Sequence, residues 1–178
     1  MFVMPNVLRC TALIIVTVFS VTVAVKAQDA RFFRIGTGGI GGTYYPIGGI
    51  IASAISSPPG SRSCDEGGSC GVQGLVAVAQ TSGGSVANVE AVAKGRLDSG
   101  FAQSDIAYWA YTGTGTYRKK EPRKTIRAIA NLYPESVHVV VRTKTGVKSM
   151  RDLKGRRVSL NEKGSGALAD ARLILNAF

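Results

Sequence analysis

The sequence predicts an α/β protein in which helices cover a parallel β-sheet. Short apolar or β-branched runs alternate with segments of helical periodicity, which is the pattern of strand–helix–strand units. Glycine-rich turns precede the predicted helices, as expected where backbone must approach a ligand. The 178 residues are 45% hydrophobic and 19% charged, a globular composition that excludes extensive disorder.

The first strand–helix unit is the clearest. Phe32–Ile35 predicts a strand, and a glycine-rich turn follows it. Thr43 is expected to cap the next helix. The apolar residues of that helix fall at helical spacing, at Ile47, Ile50, Ile51, Ala54 and Ile55.

Two more units follow in the first two thirds of the chain. Leu75–Gln80 predicts a buried strand, and Ser85 opens a helix with Val89 facing inward. Residues 97–101 predict a third strand, and Gln103 begins a third helix. Parallel strands of this kind bring all the helix starts to one edge of the sheet.

The pattern resumes after a glycine-rich and then basic connector, residues 113–124. Residues 126–132 and 137–141 are apolar, β-branched runs, and Ser149–Leu153 predicts a helical turn. Arg157–Leu160 predicts a strand. A last helix is expected after residue 164, with one apolar side made of Leu168, Ala171, Leu175 and Phe178. Residues 125–178 are therefore expected to begin a second α/β unit that is left incomplete.

The N-terminus has the features of an export signal. Residues 1–27 contain no acidic residue, and Arg9 precedes an apolar run from Thr11 to Val25. Small or aliphatic residues at Val25 and Ala27 suit a cleavage site. An uncleaved anchor is the alternative, but the run is shorter than the roughly 20 residues that span a bilayer core. We expect cleavage after Ala27.

Two cysteines remain after that cleavage, Cys64 and Cys70. In an exported protein such a pair predicts a disulfide bond. A zinc site is the alternative, but two thiolates without a second Cys or His pair make an incomplete set. The single histidine, His138, lies far away in the sequence.

The turn Gly36–Thr43 is the strongest local signal, and three interpretations compete for it. A dinucleotide site would need an acidic residue at the end of the second strand, where Gln80 stands. A phosphate-binding loop would need lysine where Gly42 stands. The third interpretation is a small-anion site made of backbone amides and hydroxyls at a helix start.

Other helix starts favour the anion site. Ser85, Gln103-Ser104-Asp105 and residues 164–166 each open a predicted helix with polar or glycine residues. Each alone could be an ordinary cap, but the fold brings them to one sheet edge. The sequence therefore predicts a binding site for a small anion.

Catalysis and nucleic-acid binding find little support. Ser104 and Asp105 lack a base that spacing can place, so an exported enzyme acting on a small anion is the weaker alternative. No cofactor is expected. The basic run 118–124 contributes to a net charge of +11. We favour a solvated loop over an anionic or membrane partner there, and it lacks the aromatic interleaving of a nucleic-acid groove.

Several blocks together resemble one known family. Phe33–Gly48 contains Gly-Gly-Thr-Tyr-Tyr-Pro, and Gly95–Asp105 ends in Gln-Ser-Asp. Gly84–Asn88, Leu153–Val158 and Gly164–Gly166 extend the likeness over nearly the whole mature chain. The chain resembles TAXI-type solute-binding proteins, the extracytoplasmic receptors of TRAP transporters.

The resemblance implies a two-lobed periplasmic-binding-protein fold of type II, with three-layer α/β/α lobes. Residues 28–124 would form the first lobe and 125–178 the start of the second, which is incomplete. It also implies a periplasmic receptor that closes on a small carboxylate or acidic amino acid such as glutamate and delivers it to a membrane permease. The ligand contacts it implies are Thr37, Gly38, Thr43, Tyr44, Ser85, Asn88, Gln103 and Asp105, with Ser165 and Gly166 from the second lobe.

Overall fold

The computed structural model describes residues 29–178. The predicted signal peptide and its cleavage site lie outside the described residues. The strands are β1 (Arg31–Gly36), β2 (Ser56–Ser57), β3 (Val72–Gln73), β4 (Leu75–Gln80) and β5 (Ser99–Gly100). The helices are α1 (Tyr44–Ile55), α2 (Ser85–Ala93), α3 (Ser104–Thr112) and α4 (Gly166–Asn176).

The strands form one sheet in the order β3-β2-β4-β1-β5. Strand β1 lies between β4 and β5 and runs parallel to both, so the predicted α/β class with a parallel sheet is confirmed. The short β2 is the exception, because it pairs antiparallel with β4 and parallel with β3. The third predicted strand, 97–101, is paired only at Ser99–Gly100.

Two apolar clusters stabilise the fold. One lies between α1 and the sheet and is centred on Ile35, Ala52 and Phe101. The other joins α2 to α3 and contains Val89, Ile106, Ala110 and Tyr117. Residues after the connector pack on both: Tyr133 on the first cluster, Ile126 and Ala169 on the second. The C-terminal segment is therefore held against the same two cores.

The buried face of α1 differs from the predicted one. Ile47, Ile51 and Ile55 pack against the first cluster as expected, but Ile50 is 65% exposed and Ala54 is exposed. The fully buried positions are Gly48 and Ala52, because the helix lies close to the sheet and only small residues fit there. Thr43 occupies the N-cap position as predicted, but its side chain makes no capping hydrogen bond.

The close approach of α1 gives a testable prediction about two adjacent glycines. A Cβ at Gly48 would lie 2.5 Å from Thr37 Cγ2 and 3.3 Å from Phe101, whereas a Cβ at Gly49 would meet nothing within 4 Å. Gly48→Ala should lower the free energy of unfolding by about 1–3 kcal/mol through overpacking. Gly49→Ala should raise it by up to about 1 kcal/mol through helix propensity. Urea denaturation measures both, and equal effects would contradict the packing.

Within the described residues, no strand occurs after β5. The predicted strand Arg157–Leu160 is therefore wrong, and the apolar runs 126–132 and 137–141 make no ladder either. Val137 and Val140 are 62% and 89% exposed. A β-strand is stabilised by hydrogen bonds to a neighbouring strand. These β-branched segments have no such partner among residues 29–178.

The helical turn predicted near residue 150 is confirmed as a 3₁₀-helix, Met150–Leu153. Ser149 and Asp152 form a capping box at its start. This reciprocal arrangement satisfies two backbone amides that would otherwise lack acceptors. The turn is therefore specified locally, which explains why it could be predicted.

The last helix also follows its predicted start. Ser165 caps α4, because its Oγ accepts a hydrogen bond from the Leu168 amide at 3.1 Å. Leu168, Ala171 and Leu175 are partly buried. Phe178 is 64% exposed, so its predicted place on the packed side is wrong. It lies beyond the end of the helix at Asn176, where helical spacing no longer determines its direction.

The Cys64–Cys70 disulfide is present, with the two Cα atoms 4.6 Å apart. It closes a loop that contains the 3₁₀-helix Cys64–Glu66 and leads to β3. The predicted pairing is confirmed, and the zinc alternative is excluded for these cysteines.

Candidate functional site

The carboxyl ends of β1, β4 and β5 lie at one edge of the sheet, and Asn88 of α2 joins them. Its Nδ2 donates to the carbonyls of Thr37, at 2.6 Å, and of Phe101, at 2.8 Å. Its Oδ1 accepts from Ser82 Oγ at 2.6 Å. The side chain is fully buried. Asn88 therefore holds together the turns that follow three strands.

Thr37 belongs to the same framework. It is fully buried, and its Oγ1 donates to the Gln80 carbonyl at 2.7 Å. Its amide donates to the same carbonyl at 2.9 Å. Thr37 and Asn88 are therefore placed beneath the site, where their polar atoms bind the chain itself. Gly38 is also buried and lies close to the ring of Tyr44.

Three helix starts meet around Ser85. Its Oγ accepts a hydrogen bond from the Gln103 amide at 3.1 Å and lies 3.4 Å from Tyr44 Oη. Ser85 opens α2, Tyr44 opens α1, and Gln103 precedes α3. The first amides of a helix have no intrahelical acceptor. This junction therefore brings together polar groups from residues at three helix starts.

The start of α4 packs directly on this junction. The Ala87 amide of α2 donates to the Gly164 carbonyl at 3.0 Å. A side chain at Gly166 would overlap Gln103 Oε1 and come within 2.9 Å of Ser85 Oγ. Ser165 is buried, and besides capping α4 its Oγ donates to the Glu162 carbonyl at 2.9 Å. Glycine at 166 therefore permits the contact, while the Ser165 hydroxyl stabilises the turn.

A cavity of about 430 Å³ opens beside the junction. The residues that line it are Thr43, Gln103, Tyr133, Pro134, Glu135 and Ser136. Tyr44 Oη, at its margin, donates to Glu135 Oε2 at 3.1 Å. The segment 133–136 had no place among the predicted site residues. Only the turn signal of Pro134 marks it in the sequence.

Acidic groups also adjoin Gln103. Gln103 Nε2 donates to Asp170 Oδ2 at 3.2 Å. Burial raises the pKa of Asp170 to about 6, and the neighbouring carboxyls of Asp105 and Glu135 add to this shift. Burial also raises the pKa of Tyr44 well above its usual value, so this phenol remains a hydrogen-bond donor at neutral pH. The site therefore combines neutral donors with a nearby negative charge.

The raised pKa of Asp170 predicts a pH dependence of stability. Between the ordinary aspartate value and about 6, the folded protein binds more protons than the unfolded chain. Stability is thus present at low pH and lost as pH rises through this window. Asp170→Asn should remove the loss and stabilise the protein at pH 7 by about 1 kcal/mol, after allowing for solvent screening. Urea denaturation of both proteins at pH 4 and pH 7 measures this.

Asp152 provides a control of opposite sign. Hydrogen bonds from the amides of Lys148 and Ser149 hold the pKa of its carboxyl below its usual range. Its contribution to stability is present above the unfolded-state pKa and lost as pH falls. Asp152→Asn should therefore destabilise at pH 7, where Asp170→Asn stabilises. The same sign for both variants would contradict the assignment.

The groups at the junction are those that can bind a polar solute. Among residues 29–178, no three His, Cys, Asp or Glu residues are grouped to hold a metal ion. His138 is exposed. Amides, a phenol and a carboxamide can donate hydrogen bonds to a polar solute, and the adjoining cavity gives it room.

Across the same described part of the chain, no helix has the length and apolar character needed to cross a membrane. Residues 35–178 match the model of a family described as the NMT1-like family. The match begins within β1 and includes the whole junction, the cavity and α4.

Proposed function

The chain belongs to the NMT1-like family, which consists of proteins like periplasmic binding proteins, related to TRAP and ABC solute binders. From this premise we propose that it is a periplasmic receptor for a small carboxylate, with an acidic amino acid as its solute. The observation that carries the proposal is the meeting of four helix starts around Ser85, beside a cavity of about 430 Å³.

The donors at this junction suit a carboxylate. Helix starts supply amides and a favourable dipole for a negative group, and Tyr44 Oη supplies a neutral hydroxyl. A carboxylate of the chain itself, that of Glu135, accepts the hydrogen bond from Tyr44 at 3.1 Å. A solute carboxylate would take the place of this group on the same donor.

The acidic residues near Gln103 favour a solute that also carries a cation. Asp170 accepts from Gln103 Nε2, and the carboxyl of Asp105 interacts with it. Their negative charge would repel a plain dicarboxylate but attract an ammonium group. An amino acid such as glutamate meets both demands, with its carboxylate at the helix starts and its ammonium toward Asp105 and Asp170.

Capture would proceed by closure of residues 125–178 over residues 28–124, the two lobes that we propose. Gly164–Gly166 would complete the enclosure of the solute, and hydrogen-bond donors would compensate for its lost hydration. We further propose that the partner is a TRAP-type membrane permease, since the blocks Phe33–Gly48 and Gly95–Asp105 resemble the TAXI-type receptors. The proposed receptor has no catalytic step.

A thermal-shift series with three matched compounds tests the proposal. Glutamate, glutarate and γ-aminobutyrate differ by one ammonium or one carboxylate. Glutamate at about 100 times its Kd should raise Tm by roughly 5–10 °C. Glutarate should give a smaller shift, because it lacks the ammonium group. No shift with any of these or other small acids at about 10 mM would contradict a carboxylate receptor.

A further inference from the structure

The basic connector after α3 forms a fixed surface together with two exposed tyrosines, here called the basic tyrosine patch. It consists of Tyr108, Tyr111, Arg118, Lys119, Lys120 and Lys124. We propose that this patch binds the anionic surface of a lipid bilayer and holds the protein beside the membrane.

The connector is anchored rather than loose. Tyr117 is fully buried in the cluster between α2 and α3. The Arg123 amide donates to the Ala110 carbonyl at 2.7 Å, and the Arg123 guanidinium pairs with Glu90 at 3.1 Å. These contacts fix both ends of the cationic run 118–124. A fixed set of cations loses little conformational freedom when it meets a charged surface.

The cations on this anchored loop point outward. Arg118, Lys119, Lys120 and Lys124 are all exposed. Lys124 Nζ lies 4.2 Å from the centre of the Tyr111 ring, and Lys120 Nζ lies 4.6 Å from that of Tyr117. Contacts with rings hold two of the ammonium groups in place while leaving them their full charge. Clusters of four or more such cations favour anionic lipid.

The tyrosines favour a bilayer over an acidic protein. Tyr108 is 63% exposed and Tyr111 is 42% exposed, and both lie on α3 next to the loop. Tyrosine has an apolar ring and a polar hydroxyl, which suits the headgroup level of a membrane. The exposed rings and the neighbouring cations therefore suit a bilayer surface that is both interfacial and anionic.

Vesicle co-sedimentation tests the proposal. The chain that starts at Gln28, after the predicted cleavage site, should bind vesicles of mixed phosphatidylglycerol and phosphatidylcholine, and about 500 mM NaCl should release it. Replacing Lys119, Lys120 and Lys124 with Gln should weaken the partition constant on the order of 100-fold. Tyr108→Ser should weaken it by a smaller factor. Every variant keeps the same N-terminus, so differences between them report on the patch.

A matched charge control replaces three exposed lysines elsewhere, Lys144, Lys148 and Lys154, with Gln. It makes the same change in net charge and should keep most of the binding to anionic vesicles. If both triple variants lose the same amount of binding to anionic vesicles, the basic tyrosine patch is not the binding surface, because net charge alone would then explain the binding. Absence of binding to anionic vesicles, or equal binding to pure phosphatidylcholine, would contradict the proposal that the patch binds an anionic bilayer. An acidic protein would then be the partner to test.

Discussion

Asn88→Asp is expected to lower the free energy of unfolding at pH 7 by about 3–5 kcal/mol. The substitution replaces the Nδ2 donor with an oxygen that would face the carbonyls of Thr37 and Phe101, now 2.6 and 2.8 Å from Nδ2. Two carbonyls would lose their donor, and a buried charge would lie between them. Urea denaturation followed by circular dichroism measures the change.

Asn131→Asp is the matched control, since Asn131 is exposed. The same chemical change there should alter stability by less than about 0.5 kcal/mol. The loss caused by Asn88→Asp should also shrink at pH 4, because protonation removes the charge and restores one donor. If the two variants have the same stability at pH 7, Asn88 does not join the three strand ends.

Tyr44→Phe is expected to weaken the binding of glutamate about 10- to 100-fold, as measured by titration calorimetry. The Tyr44 hydroxyl is the donor that the proposed solute carboxylate would use, and a hydrogen bond to a charged group contributes about 1.5–3 kcal/mol. The fold should be retained, because the ring keeps its contact with Phe101 at a centroid distance of 5.1 Å.

Tyr45→Phe makes the same change one residue along α1. Tyr45 is 37% exposed and lies outside the contacts around Ser85. Removal of the Tyr45 hydroxyl should leave the affinity of the protein for glutamate unchanged. If Tyr44→Phe binds glutamate as tightly as Tyr45→Phe does, the carboxylate does not lie at Tyr44.

The central units of the fold could be predicted from local sequence. β4 has its predicted bounds, and α2 begins at the predicted residue, because a short apolar run and helical spacing are local properties. The buried face of α1 could not be predicted from spacing alone. Its closest contact with the sheet is made by Gly48, which hydropathy does not mark as a core residue.

The candidate site could be predicted only in part. The glycine and hydroxyl residues identify the turns, and the structure brings Tyr44, Ser85, Gln103 and Gly166 together. The sequence does not show which polar atoms are already used by the chain. Thr and Asn are residue types that often contact a ligand. The side chains of Thr37 and Asn88 instead donate hydrogen bonds to backbone carbonyls.

The opposite wall of the cavity is a long-range feature. Tyr133 and Glu135 reach Thr43 and Tyr44 from about 90 residues away in the sequence. Neither periodicity nor motif spacing encodes a contact over such a distance. The same applies to Arg157–Leu160, whose strand-like composition forms a strand only when a neighbouring strand is present.

The most direct test of the account is the response of backbone amides to glutamate, followed by ¹H–¹⁵N correlation spectra of this 18.7 kDa protein. A receptor whose helix starts hold the solute should show saturable shifts at the amides of Tyr44, Ser85, Ser104 and Gly166. Shifts confined to the basic connector 118–124, or no shifts at all, would contradict a solute site at this edge of the sheet.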